Sequence, residues 1–129
     1  MDCPECGTAM LEFPVTAELA TFLPGDDAGA ALCPHCLTMQ PVATPPNAVP
    51  SFDAVGDAFP EGDAAVPMAL VLGLLPSLAT YREELAALLD HTERAGTDPL
   101  LVLDRLAEDP AIDSTVDLRR RRRQLEQLI

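Results

Sequence analysis

The sequence predicts an α+β protein: a small N-terminal ribbon of short β-strands over residues 1–42, a proline-rich linker over 43–63, and a small C-terminal helical bundle over 64–129. Three observations predict it. All four cysteines fall early, in two Cys-x-x-Cys pairs, Cys3/Cys6 and Cys33/Cys36. Pro45, Pro46, Pro50 and Pro60 crowd the next segment, where fixed φ angles and missing amide donors favour extended chain. From Ala64 onward apolar residues recur at steps of three and four, the spacing that lines one face of a helix.

The elements follow in order. Met10 to Val15 alternates well enough for a strand, and Pro14 confines it to a sheet edge. Thr16 to Leu23 suits a helical turn capped by Thr16 and stopped at Pro24-Gly25; Ala30 to Leu32 then leads into the second cysteine pair as a short strand. In the linker, Phe52 and Phe59 are the side chains able to anchor it. Ala64 to Tyr81 carries no charge, which touches the lower limit for a membrane span. Pro67, Pro76 and Gly73 favour instead a buried central helix that breaks near Pro76.

Ser77 to Arg94 is amphipathic, with Leu78, Tyr81, Leu85, Leu88, Leu89 and Thr92 on one side and Gly96 at its end. Asp98-Pro99 opens the next helix, an N-cap acid followed by proline at the first helical position; it runs to Pro110. The last helix is expected to start near Ser114, with that hydroxyl as cap and Asp117 three residues on, and to carry Leu118, Leu125, Leu128 and Ile129. Short connections between these helices suit antiparallel neighbours.

Charge narrows the function classes. The chain has 21 acidic residues against 8 basic ones, every one of them arginine, for a net charge of −13. With aromatics at only 4%, Leu, Val and Ala must form the core. A surface this acidic repels itself at low ionic strength and is tolerated in concentrated salt, where the screening length shrinks to about 3 Å at 1 M. The Asp-rich, Lys-free composition resembles that of proteins from salt-accumulating archaea. It argues against broad binding to nucleic acid or anionic membrane. Met1-Asp2-Cys3 does not read as a secretory signal, so a cytoplasmic location is expected.

In a reducing cytosol, four cysteines in two tight pairs point to metal or redox chemistry rather than to a disulfide framework. Two residues between thiolates let the backbone curl until both sulfurs reach one ion, and turn amides can donate to them. Cys3-Pro4-Glu5-Cys6 is followed by Gly7, which suits a left-handed conformation past the turn; Leu37 stands in the matching place after Cys33-Pro34-His35-Cys36. Four soft thiolates with no open position fit one structural zinc ion, with Cys3, Cys6, Cys33 and Cys36 as ligands. Zinc would supply folding energy that a ribbon poor in aromatics lacks. Taken alone, Cys33-Pro34-His35-Cys36 also matches the active-site tetrapeptide of oxidising thioredoxin-fold proteins, where the first cysteine opens a long helix. His35, between two cysteines of one turn, is expected to face solvent, and His91 to be structural or exposed.

Arg119 to Arg123 form an unbroken basic run. On a helix their side chains go right round, and the stripe through Leu118, Leu125 and Leu128 passes beside Arg121 and Arg122. At least one arginine must therefore lie near the packed face and snorkel outward or pair with an acid. Internal or subunit ion pairing is the favoured role. Phosphate binding is the alternative, with a salt slope of about 4–5 that concentrated salt would punish. The chain carries no Gly-rich phosphate loop, Gly-x-Ser-x-Gly or His-Glu-x-x-His motif.

The opening Met-Asp-Cys-Pro-Glu-Cys-Gly and the later Leu-Cys-Pro-His-Cys-Leu-Thr resemble haloarchaeal zinc-ribbon proteins. With Asp57-Ala58-Phe59-Pro60, the run Asp98 to Leu106 and Gln124 to Leu128, the chain resembles a family of small haloarchaeal proteins classed as a domain of unknown function. The resemblance covers nearly the whole chain. It implies four metal-ligating cysteines and a helical C-terminal half, and implies no activity. The expected function is a non-enzymatic structural-zinc protein acting as a protein–protein interaction or adaptor module. A nucleic-acid-associated or transcription-related factor using the ribbon and Arg119–Arg123 is the alternative, and a thiol oxidoreductase acting through Cys33 and Cys36 is the third class.

Overall fold

A computed structural model describes residues 1–128 of the chain. Its elements are β1 (Leu11–Pro14), α1 (Ala17–Ala20), β2 (Gly29–Leu32), β3 (Met39–Val42), α2 (Ala65–Leu74), α3 (Arg82–Arg94), α4 (Pro99–Glu108) and α5 (Leu118–Glu126). The three strands form one antiparallel sheet in the order β1-β2-β3. The fold is α+β, as the sequence predicts.

Proline placement explains the sheet. β1 is an edge strand, where Pro14 does no harm to the ladder. β3 was not foreseen, because Pro41 argues against a strand; its register of Leu32 on Met39 and Ala30 on Pro41 puts it on the other edge, where proline is again tolerated. Central β2 is covered on both faces. Ala30 and Leu32 face the helices together with Phe13. Ala31 and Cys33 face the other way with Met10, Val42, Cys3 and Cys36, in a second small cluster. The period of two thus sends one face of the ribbon to the main core and the other to the cysteines.

The helices follow the sequence with two corrections of boundary. α2 is buried over almost its whole circumference and gives way to a single 3-10 turn, Leu75–Ser77, at Pro76. Pro67 lies in its first turn, where amides have no intrahelical partner. α3 begins at Arg82 rather than Ser77, since the turn forced by Pro76 runs on to Tyr81; Leu85, Leu88, Leu89 and Thr92 still form the buried stripe. Its end is a Schellman motif, with the Gly96 amide donating to Glu93 and the Thr97 amide to Thr92. Asp98 caps α4 as expected, its Oδ1 accepting from the Leu100 and Leu101 amides.

α5 is capped by Asp117, which accepts from the Arg120 amide, and not by Ser114. The Ser114 hydroxyl instead closes a small turn by accepting from Val116. An aspartate three residues nearer the apolar stripe wins because Leu118 and Leu125, both buried, fix where the helix must begin. Ile129 lies outside the described residues. Among the described residues no helix is long and apolar enough to cross a membrane.

One core joins these parts. It runs from Phe13 and Leu32 of the ribbon through Phe52 and Phe59 to Leu70, Leu88, Leu103 and Leu125. Phe52 meets Phe13 edge-on at 5.6 Å and stacks on Phe59 at 4.9 Å, so residues 43–63 are anchored at the two aromatics that the sequence singles out. α2 comes so close to β3 that a Cβ added at Gly73 would lie 2.8 Å from Met39 Cβ, which is why glycine stands there.

Candidate metal centre

The two cysteine pairs fold into matching knuckles. Gly7 N–H donates to the Cys3 carbonyl at 2.9 Å, and Leu37 N–H to the Cys33 carbonyl at 3.0 Å. Cys3 N–H reaches Thr8 at 2.8 Å, and Cys33 N–H reaches Thr38 at 2.9 Å. Hydroxyls repeat the symmetry, with Thr8 Oγ1 3.3 Å from Cys6 Sγ and Thr38 Oγ1 3.1 Å from Cys36 Sγ. The sequence reading missed these threonines, although both lie two residues after the second cysteine of a pair.

Both knuckles need left-handed backbone at the residue after the second cysteine: Gly7 has φ +79° and Leu37 has φ +64°. For leucine that conformation costs about 1–2 kcal/mol. Leu37 is buried in the main core, and burying such a side chain returns about 1.5–3 kcal/mol. The second knuckle therefore accepts strain because its leucine pins the ribbon to the helices.

All four sulfurs lie within 4.8 Å of one another. Cys3 Sγ is 3.5 Å from Cys36 Sγ, and Cys6 Sγ is 3.5 Å from Cys33 Sγ and 3.7 Å from Cys36 Sγ. Four thiolates about 2.3 Å from one tetrahedral ion would stand about 3.8 Å apart, whereas a disulfide needs about 2.0 Å. The spacing fits a shared metal ion, and no pair is bonded. Cys33 opens a turn that leads into β3, so it has no long helix behind it to activate it as in a thioredoxin-like site.

Burial divides the set. Cys3, Cys33 and Cys36 are buried and Cys6 is exposed. Desolvation pushes the Cys33 thiol up and the Cys36 thiol up to about 12, while the hydroxyl and amide of Thr8 hold Cys6 down to about 6. A metal must then displace protons from at least Cys33 and Cys36 near neutral pH. Its apparent affinity is expected to rise by at least about two decades per pH unit there, and more steeply below about pH 6, where Cys6 also holds its proton. Competition against a chromophoric chelator over a pH series measures that slope, and a flat profile would contradict the arrangement.

His35, expected to face solvent, is only partly exposed. Its Nδ1 lies 2.9 Å from the Ala111 carbonyl, and the residue is not among the four ligands. Its own carbonyl accepts from the Asp113 amide at 2.8 Å, and that of Cys36 accepts from Thr115 at 3.3 Å. The second knuckle is thus clasped by the α4–α5 loop, a contact between segments 76 positions apart for His35 and Ala111. His91 is half-buried and structural, edge-on to Phe22 at 5.6 Å, with Nε2 3.8 Å from Glu18.

The arginine run splits by direction. Arg122 is a quarter exposed, with Nε 2.9 Å from Asp104 of α4, in line with a charge pair but not aligned as a hydrogen bond; its Nη1 meets Glu126. Arg121 donates to Gln124 Oε1 and to the Pro76 carbonyl. Arg119, Arg120 and Arg123 are exposed, and among the described residues none has a carboxylate within 4.0 Å.

The chain belongs to a family of unknown function (DUF6276), whose model matches residues 2–129. No curated protein and no solved structure matches it.

Proposed function

We propose that the four cysteines hold one structural zinc ion, and that this member of the family is a non-enzymatic module for protein–protein association. The observation that carries the zinc reading is the four-sulfur cluster, whose members all lie within 4.8 Å. Soft thiolates in a tetrahedron select zinc over the hard cations, and a fourth sulfur leaves no coordination position for a substrate. When bound, the ion cross-links the two knuckles. The chain's own residues do the rest: Thr8 and Thr38 orient sulfurs, Leu37 ties the second knuckle to the core, and the α4–α5 loop clasps it.

Association is supported by the surface rather than by the metal. Residues 1–118 carry twenty acids and three arginines, whereas five consecutive arginines are concentrated on α5. Such separated charge favours steered encounter with a complementary partner. Affinity capture from cells, at low and at high salt, tests the reading. One defined protein should be recovered in stoichiometric amount, and its recovery should survive treatment with ribonuclease. Recovery of nucleic acid alone, or thiol-exchange turnover dependent on Cys33, would replace association with one of the other two classes.

A further inference from the structure

We propose that the outward face of α5, formed by Arg119, Arg120 and Arg123, is the docking surface of this protein and takes an acidic segment of a partner protein. The inference rests on the association reading above and names the surface and the chemistry of its partner.

Helical geometry separates the five arginines into two groups. At about 100° per residue, Leu118 and Leu125 point within about 20° of each other into the core. Arg121 and Arg122 flank that stripe and find partners inside the molecule: Gln124 and the Pro76 carbonyl for the first, Asp104 and Glu126 for the second. Arg119, Arg120 and Arg123 fall within an arc of about 100° on the opposite side. Gln127 is exposed on the same side, and the one acid of α5, Glu126, lies at the edge of that arc with its carboxylate on Arg122.

This outward group is unfavourable when considered alone. Three like charges sit within about 6 Å of axial rise, and two of them lie in the first turn, where the helix dipole is already positive. Nothing within 4.0 Å among the described residues compensates them, in a chain with 21 acids available. Internal neutralisation therefore explains Arg122 and leaves these three for an external anion. Guanidinium forks match carboxylates and phosphates alike.

Extent and surroundings favour carboxylates on a protein. The patch is little more than one helical turn long, enough for two or three anionic groups. A nucleic-acid strand continuing past it would run over a body with 20 acids and three arginines in residues 1–118, paying repulsion at each further phosphate. A short acidic segment can end where the patch ends. The surface also has a fixed seat: the loop before α5 is hydrogen-bonded to the second cysteine knuckle through Asp113 and Thr115, and Leu118 and Leu125 are buried beneath the helix.

The test uses the full zinc-loaded chain and the variant R119Q/R120Q/R123Q, which keeps Arg121 and Arg122. Fluorescence anisotropy at low salt follows binding of a labelled short oligoglutamate and, separately, an oligouridylate of equal charge. The wild type should bind oligoglutamate at least about tenfold more tightly than the variant does, and more tightly than it binds the RNA. The variant's melting temperature should be unchanged or higher, since the three charges repel one another and two of them oppose the helix dipole. Equal binding by wild type and variant, no binding of oligoglutamate, tighter binding of the RNA, or unfolding of the variant would each overturn the proposal. Running the affinity capture with both proteins separates this claim from the one beneath it. A partner retained by wild type and variant alike leaves association standing and removes this surface; absence of any protein partner from both removes the association reading itself.

Discussion

Cys33→Ser is expected to abolish stoichiometric zinc binding and to lower the melting temperature by at least about 10 °C. Cys33 is fully buried at the start of the second knuckle, and its sulfur is 3.5 Å from that of Cys6. Serine removes a thiolate from a four-ligand site and leaves a buried hydroxyl in its place. Structural zinc sites contribute about 10–16 kcal/mol to the folding of small metal modules, so even partial loss is large against ordinary domain stability. The amides of Gly7, Leu37, Asp113 and Thr115 should lose hydrogen-exchange protection first, because each donates to a carbonyl of one of the two knuckles. Retention of one zinc with unchanged exchange at these amides would show that the ion sits elsewhere.

The second large effect is expected at Phe13→Ala, which should cost about 3–5 kcal/mol. Phe13 is fully buried on the ribbon face turned toward the helices, and its ring meets Phe52, which in turn stacks on Phe59. Removing the ring opens a cavity where the ribbon, the proline-rich segment and the helices meet. Chemical denaturation should remain a single transition with a lower midpoint, since all three parts share one core. A loss below about 1 kcal/mol, or a separate early transition for the sheet, would mean that ribbon and helices are held together by something other than this aromatic contact.

How far the sequence reaches depends on the range of the interaction. The ligand set was legible because Cys-x-x-Cys spacing is a local constraint, and two copies of it close a site. Helix periodicity and the Asp98-Pro99 opening were equally local, and Phe52 and Phe59 stood out as the large apolar residues in a segment otherwise poor in them. The split of the arginines was half legible: 100° steps place Arg121 and Arg122 beside the stripe, but Asp104 as partner depends on how α4 packs against α5. β3 was hidden by Pro41, which is harmless only because strand order leaves it on an edge. The clasp of His35 and Cys36 by residues 111–115 gave no sequence signal: two of its hydrogen bonds join backbone carbonyls and amides, which every residue has, and the third sets the His35 ring on a backbone carbonyl 76 positions away. Leu37 in a left-handed conformation was concealed for a related reason. Its cost is local, while its compensation lies in a core assembled from distant helices.

The central claim is that four sulfurs from two knuckles share one zinc ion. Native mass spectrometry of the purified full chain, paired with elemental analysis, tests it most directly. The expected result is one zinc per chain with all four thiols unreactive toward an alkylating agent until a chelator is added. A folded chain that carries no metal and whose thiols are freely alkylated would contradict it.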